Sequence, residues 1–288
     1  MTDNHLRNDV LTRLNTRQLP ILPPGASQLL RSLTDDTISY ADLAKVIERF
    51  PTIAARLISL ANSSWSSPVS PIVSLESACA RLGFAVVRSV GIALAIAAPF
   101  NPKKCPGFDA QRYWCSALLT ADATAWLSMS VEPDLRIDAA GARAAGLLHN
   151  LGLLWLVDLF PGEANQVFKR TAENSDLNLN QLLIERIGLD YCEAGGVLAT
   201  AWKLPEPLVV AMVGHANPDY ENGHWQWAAL VGVAESMSRA LLLDCPWQPV
   251  DERIERLGFD DETVGQVFDR LSKQSEQTRE LAKSLFGQ

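Results

Sequence analysis

The sequence predicts an all-α fold built from helical bundles. Apolar residues recur at spacings of three and four along most of the chain, which is the pattern of helices with one buried face. Few stretches show the alternation of apolar and polar residues that a half-buried strand requires. The chain has 288 residues, of which 48% are hydrophobic and 20% charged, so it is long enough to bury one large core or two smaller ones.

The first predicted helices have recognisable start and stop residues. Ser39 precedes a helix and, with Asp42 three residues later, forms a start that resembles a capping box. Pro51 opens the next helix, where its missing N–H group has no hydrogen bond to lose. Ser74 begins a third helix and Gly83 ends it.

Residues 84–98 allow two interpretations. Their β-branched residues would suit a buried strand, but the length of the run and its five alanines favour a buried helix. Helical spacing then predicts further helices at residues 113–128, 139–148, 151–159, 163–173, 179–187, 192–202, 207–214, 225–243 and 262–286.

Two segments that contain prolines divide these helices into three parts. Residues 99–107 and 244–249 are too short, and too poor in glycine and serine, to be flexible linkers. We therefore predict an N-terminal helical subdomain at residues 1–98 and a second helical subdomain at residues 109–243. The C-terminal helices at residues 250–288 are expected to pack on or extend the second subdomain.

Composition narrows the classes of partner. The formal net charge of −8, without a basic patch larger than Lys103-Lys104, argues against nucleic acid and anionic lipid as partners.

Residues 90–98, the most apolar stretch, are too short for a membrane span, and no secretion signal is evident at the N-terminus. Five scattered cysteines form no C-x-x-C pair, which is typical of reduced thiols. We therefore predict a soluble, cytoplasmic protein without membrane insertion.

Several ordered motifs carry a resemblance to a known family. They are LPILP at residues 19–23, FPTIAARLISLANS at 50–63, the segment that leads to the Leu-Gly turn at 82–83, GLLHNLG at 146–152 and WKLPEP at 202–207. Together they resemble the HDOD domain, a bacterial regulatory relative of the HD and HD-GYP phosphohydrolases. Phe50 stands where the family usually has an aspartate.

The resemblance also implies where the metal ligands of a catalytic HD relative would fall. These positions are Cys115 for a first histidine, His149 and Asn150 for the His-Asp pair, Tyr191 for a further histidine, His215 with Ala216 for a histidine pair, and Glu235 for a late aspartate. Only His149 and His215 keep the expected residue type, and the amide of Asn150 is a weak ligand compared with a carboxylate. The sequence therefore predicts a degenerate metal site, with no tightly held transition metal, no cofactor and no catalytic residue.

The same residues have ordinary structural interpretations. His149 is expected to be a core histidine that is bonded to a backbone carbonyl or to Asn150. His215 is expected to be a cation at the C-terminal end of a helix, where the helix dipole favours positive charge. Cys115 is expected to be a small buried hydrophobic residue.

The corner at Asn62, Ser63 and Trp65 also allows two interpretations. Asparagine and serine side chains there could tie the loop to nearby backbone groups. Alternatively, the corner is a docking surface, with Trp65 as an exposed anchor for a partner.

These observations predict a non-catalytic bacterial signal-transduction protein that acts by protein–protein interaction in a two-component or cyclic-di-GMP network. The expected partner is a sensor kinase, a response regulator or a cyclic-dinucleotide enzyme. One alternative is a metal-dependent phosphohydrolase with an atypical ligand set. The other is a module that binds a nucleotide without turnover, in which Arg143 or Lys203 would meet the phosphate.

Overall fold

The computed structural model describes residues 19–22, 25–33, 37–63, 65–132, 135, 137–174 and 177–287. Over these ranges the chain consists of helices and loops, with no β-strand, which confirms the predicted all-α class. Residues 1–18, where the predicted N-terminal subdomain begins, and Pro23 of the LPILP motif lie outside the described residues.

The N-terminal helices pack around an apolar core, and the last of them is the most deeply buried. They are α1 (Ala26–Leu33), α2 (Tyr40–Ile47), α3 (Pro51–Ala61), α4 (Leu75–Leu82) and α5 (Phe84–Ala97). The predicted starts are confirmed: the Ser39 side chain accepts a hydrogen bond from the backbone N–H of Asp42, and the Ser74 side chain accepts one from Ser77. Gly83, with φ of 79°, separates α4 from α5. Residues 84–97 are helical rather than extended, whereas α1 was not predicted.

A second group of helices packs around the long helix α6. They are α6 (Ala110–Ser128), α7 (Ala139–Leu148), α8 (Leu151–Leu159), α9 (Pro161–Glu173), α10 (Leu179–Ile187), α11 (Tyr191–Ala201), α12 (Glu206–Gly214) and α13 (Trp225–Leu242). Helix α6 lies against α7 and α13, and α11 lies against α8 and α12. Helix α6 begins three residues earlier than predicted, because the Asp109 side chain caps it by accepting a hydrogen bond from the backbone N–H of Arg112.

The C-terminal helices are α14 (Glu252–Arg256) and α15 (Asp261–Phe286). Helix α15 runs along α6, where Phe286 stacks on Trp114 with ring centroids 4.5 Å apart. It also contacts α13 and, in the N-terminal group, α3. The last helix therefore contacts helices on both sides of the 99–107 segment.

Within the described ranges, no single helix is both long and apolar enough to cross a bilayer. Two helix pairs reach that length and composition only when they are joined across bends of 114° and 119°.

Candidate functional site: a closed histidine pair

The positions that the family resemblance singled out lie at the ends of four helices and within two others, one of which is α6 with Cys115. His149 follows α7, Asn150 precedes α8, Tyr191 begins α11 and His215 follows α12. Glu235 lies within α13. This arrangement places the His149 and His215 rings edge to face, with centroids 5.0 Å apart.

Glycines of the GLLHNLG motif allow the helices to approach closely enough for this contact. A Cβ atom on Gly146 would lie 2.7 Å from the carbonyl oxygen of Thr120 on α6. A Cβ atom on Gly152 would overlap the Tyr191 carbonyl oxygen and the backbone nitrogen of Gly195, both on α11. The motif thus fixes the approach of α7 to α6 and of α8 to α11.

His149 is a buried, neutral core residue. It is 2% exposed, and its Nδ1 donates a hydrogen bond to the carbonyl oxygen of Gly146 over 2.6 Å. Burial lowers the pKa of His149 to about 4, against a small opposing effect of that hydrogen bond. The interpretation as a core histidine bonded to a backbone carbonyl is confirmed.

His215 is also buried and neutral, so the interpretation as a helix-terminal cation was wrong. Its Nδ1 lies 3.0 Å from the carbonyl oxygens of both Ala211 and Met212, which makes Nδ1 the donor and leaves Nε2 as an acceptor. Burial, followed by repulsion from His149, lowers the pKa of His215 to about 3. The Tyr191 hydroxyl donates to Nε2 over 3.4 Å.

Arg253 supplies the positive charge at this end of α12 instead. Its Nη1 donates to the carbonyl oxygen of His215 over 2.6 Å, and its Nη2 lies 2.6 Å from Asp251 Oδ2. Arg253 was not among the predicted site residues. The one local feature that points to Arg253 is Asp251, two residues before it, whose side chain caps α14.

Asn150 is buried, at 7% exposure, and its Oδ1 has no hydrogen-bond partner among the described residues. Its backbone carbonyl oxygen accepts a hydrogen bond of 3.4 Å from the hydroxyl of Tyr113 on α6. Tyr113 is buried, and burial raises its pKa, so this hydroxyl remains protonated. The α6 side chain that reaches the His-Asn pair is thus Tyr113.

Cys115 lies within α6, the helix along which α15 runs. Burial raises the pKa of its thiol to about 11, and two of the charged groups that act on it, Arg279 and Glu276, lie on α15. Cys115 is 2% exposed. The interpretation as a small buried hydrophobic residue is confirmed.

Glu235 acts on this group of residues from α13, where its negative charge contributes to the raised pKa values of both Tyr191 and Cys192. Its side chain is 23% exposed, and its Oε1 lies 3.7 Å from Nη1 of Arg239. Burial raises the pKa of Glu235, while Arg239 and then Arg253 oppose that effect. The Glu235 carboxylate therefore interacts with the positive charges of Arg239 and Arg253.

These residues do not fit the dinuclear metal centre of a catalytic HD relative. Such a centre needs several convergent imidazoles and carboxylates together with an open position for water. Here both Nδ1 atoms are bonded to the backbone, Tyr191 is protonated and Asn150 is neutral. Over the part of the chain that the structure describes, no three His, Cys, Asp or Glu side chains converge on one point.

Local hydrogen bonds account for the side chains of Asn62 and Ser63 at the corner that follows α3. Nδ2 of Asn62 donates to the carbonyl oxygens of Ile58 and Ile72, over 2.9 and 2.7 Å, and its Oδ1 accepts from the backbone N–H of Ile72. Ser63 Oγ donates to the carbonyl oxygen of Leu60 over 2.7 Å. Asn62 thereby closes the loop between α3 and α4.

Trp65 is half-buried, which corrects the expectation of an exposed ring. Its indole N–H donates to the carbonyl oxygen of Gln277 on α15 over 3.1 Å, and its ring packs against the core. The strongly exposed apolar side chains of this loop are Val69 and Val73.

The structure thus defines an all-α protein with two neutral, buried histidines in contact at its centre. The sequence profile of the HDOD domain matches residues 19–218, and the chain belongs to this family. The resemblance seen in the motifs is thereby confirmed.

Solved structures share the fold. A Marinobacter aquaeolei VT8 protein, described as a candidate signal transduction protein, has a TM-score of 0.83 at 24% identity, over 98% of this chain and 65% of that one. An HDOD domain protein of unknown function from Geobacter sulfurreducens has a TM-score of 0.73 at 21% identity, over 99% and 98% of the two chains. A Shewanella amazonensis SB2B protein, described as a candidate phosphohydrolase, has a TM-score of 0.70 at 22% identity, over 96% and 97%.

Among curated proteins, an uncharacterised protein of Treponema pallidum (strain Nichols) is 24% identical over 205 residues. The match covers 69% of this chain but only 38% of the Treponema protein.

Proposed function

We propose that this protein is a non-catalytic regulator in signal transduction that acts by binding another signalling protein: a sensor kinase, a response regulator or a cyclic-dinucleotide enzyme. The closed histidine pair carries the proposal, because His149 and His215 direct Nδ1 to backbone carbonyls and have the neutral Asn150 and Tyr191 beside them. Membership of the HDOD family supports it, as does the fold shared with the Marinobacter protein.

Metal loading tests the non-catalytic part. Purified protein is dialysed against Mn²⁺ or Fe²⁺ under reducing conditions, desalted, and analysed for bound metal and for hydrolysis of bis(p-nitrophenyl) phosphate. We expect far less than one metal ion per chain and no turnover above that of the His149→Ala/His215→Ala double variant. Near-stoichiometric metal, with turnover that the double variant loses, would show that the protein is a phosphohydrolase with an atypical ligand set.

We place the partner-binding surface at the corner of Asn62, Ser63 and Trp65. Asn62 joins the two ends of the loop between α3 and α4 by hydrogen bonds, and the loop presents Val69, which is fully exposed, and Val73, at 85% exposure. Exposed apolar side chains on a loop that is tied at both ends suit a protein partner, because ordering of the loop opposes binding less. In this arrangement Trp65 supports the surface by holding the loop to α15.

Two exposed valines provide a matched test of this surface. A partner is first identified by affinity capture and mass spectrometry, and its purified form is then titrated against Val69→Asp and Val250→Asp. Val250 is 81% exposed but lies beyond α13. We expect Val69→Asp to weaken binding at least about tenfold, as the loss of one well-placed contact does, and Val250→Asp to leave it unchanged. Loss in Val250→Asp alone, or in neither variant, would contradict this placement.

A further inference from the structure

A polar cleft of about 420 Å³ lies between the N-terminal helices and the helices that follow them. Helices α4 and α5 and the loop at Trp65 and Ser66 line one side, and α6, α7 and α15 line the other. The volume falls within the range of about 300–1,000 Å³ that is usual for small-molecule sites. The lining residues include neither histidine of the closed pair, so this cleft is a separate feature.

The side chains that line the cleft have a net positive charge, although the net charge of the whole chain is −8. Three arginines line it, Arg81, Arg143 and Arg270, against one acidic residue, Asp122. Arg143 is paired with Asp122, and these side chains are only 12% and 23% exposed. Arg81 and Arg270 are exposed. The charge that remains uncompensated among the lining residues is therefore positive and accessible.

The two exposed arginines are held in place by neighbouring groups. The Arg270 guanidinium lies over the Trp126 ring, 4.0 Å from its centroid. Arg81 Nε donates to the Ser66 hydroxyl over 3.1 Å, and its Nη2 donates to the Ser66 carbonyl oxygen. Guanidinium groups held in a fixed orientation lose less freedom on binding and match the geometry of phosphate oxygens.

Flat surfaces beside these charges suit an aromatic ring. Trp65 lines the cleft and is half-buried, whereas the Arg270 guanidinium already lies over the ring of Trp126. Nucleotide bases stack on tryptophan rings and on the planes of arginine side chains. Uncharged donors and acceptors that can read a base edge also line the cleft: Ser89, Gln274, Gln277 and Thr278.

We propose that this cleft binds a nucleotide, with its phosphates on Arg81 and Arg270 and its base against Trp65. A phosphate ligand alone would leave Trp65 without a contact, and an apolar ligand would leave the arginines without one. Because the cleft joins α4 and α5 to α15, a bound nucleotide would link the N-terminal helices to the last helix. The proposal rests on the residues of the cleft and does not depend on the proposed signalling partner.

Calorimetry with a defined panel tests the ligand class. The probes are ATP, GTP, GMP and cyclic di-GMP, compared with adenosine, guanosine and inorganic phosphate. We expect at least one nucleotide to bind, with an affinity that falls as salt is added, because exposed charges are screened. No binding of any nucleotide at millimolar concentration would overturn the proposal. Binding of a nucleoside, or of phosphate alone, as tightly as the nucleotide would overturn it as well.

Variants locate the site. Arg270→Ala is expected to weaken nucleotide binding about tenfold or more, which is the usual effect of losing one charge-assisted contact. Arg256→Ala is the matched control, since its guanidinium lies 4.7 Å from the Trp225 ring centroid but outside the cleft, and it should leave binding unchanged. Ala85→Phe fills the cleft from its exposed rim without removing a polar contact, and it should also abolish binding. Thermal midpoints confirm folding, and binding that survives both Arg270→Ala and Ala85→Phe would overturn the proposal.

Discussion

The imidazole rings of His149 and His215 pack edge to face at an interplanar angle of 87°, with both side chains almost completely buried. A protonated ring at either position would lose its hydration and would lie close to its neighbour. This is why the pKa values fall to about 4 for His149 and about 3 for His215. The pair therefore behaves as a neutral part of the core near physiological pH.

The pair predicts a loss of stability in acid. The folded pKa of each histidine is below its unfolded value of about 6.5, so the unfolded chain binds more protons as the pH falls below that value. Each histidine should lower the free energy of unfolding by up to about 1.4 kcal/mol per pH unit between pH 6 and 4. Urea unfolding at pH 7, 5.5 and 4.5 measures this slope, and His149→Gln and His215→Gln should each reduce it.

Leu147→Ala is the control for this slope. Leu147 is fully buried on the helix that leads to His149 but does not titrate, so its loss should cost about 2–5 kcal/mol at every pH and leave the slope unchanged. The raised pKa of Glu235 makes the free energy of unfolding increase as the pH falls. This effect is present in the wild type and in every variant, so it cancels when their slopes are compared. Equal slopes in the wild type and in both histidine variants would contradict neutral burial of the pair.

Trp65 is expected to stabilise the monomer, because its indole N–H reaches α15 across the cleft. Trp65→Phe keeps a ring but removes the hydrogen bond to the Gln277 carbonyl oxygen, which should cost about 0.5–1.5 kcal/mol. Trp65→Ala also removes apolar contact and should cost about 1–3 kcal/mol. Urea denaturation measures both, and an unchanged midpoint in Trp65→Ala would restore the expectation of an exposed ring.

Asn150→Asp restores the family's His-Asp pair but should not restore a metal centre. The positions of Cys115, Tyr191 and Ala216 would still lack histidines. The new carboxylate would be buried, so it should lower the free energy of unfolding by about 1–3 kcal/mol at pH 7, with partial recovery as the pH falls and the carboxyl is protonated. Elemental analysis and phosphodiester hydrolysis check the first part, and turnover by this single variant would show that the ligand positions are misassigned.

Two glycine-to-alanine substitutions distinguish the effect of close contact between helices from the effect of intrinsic helix propensity. A methyl group in Gly152→Ala would overlap backbone atoms of Tyr191 and Gly195, which cannot move away as a side chain can, so the cost should be about 3 kcal/mol or more. A methyl group on Gly265 of α15 would have no other atom within 4 Å, so Gly265→Ala should stabilise the protein by about 0.5–1 kcal/mol. Thermal and urea unfolding distinguish them, and a neutral Gly152→Ala would contradict the close approach of α8 and α11.

Local sequence patterns were sufficient for most helix boundaries. Ser39, Ser74 and Gly83 act on backbone groups within four residues of themselves, so their effect can be read without the rest of the chain. The same holds for Asp109, whose capping role was present in the sequence but was overlooked. The helix at Ala26–Leu33 was missed because, unlike the equally short α2 and α4, it is preceded by Gly25 and not by a capping serine.

The sequence by itself determined the all-α class, the position of most helices, the HDOD motifs and the replacement of ligand types at Asn150 and Tyr191. Only the tertiary structure decided that His215 is neutral, that Arg253 meets the end of α12, and that Trp65 is tied to α15. Helix starts depend on neighbours along the chain, whereas charge state depends on how much water is excluded by helices that are distant in sequence. Trp65 and Gln277 are 212 residues apart, and no local pattern records a hydrogen bond over that separation.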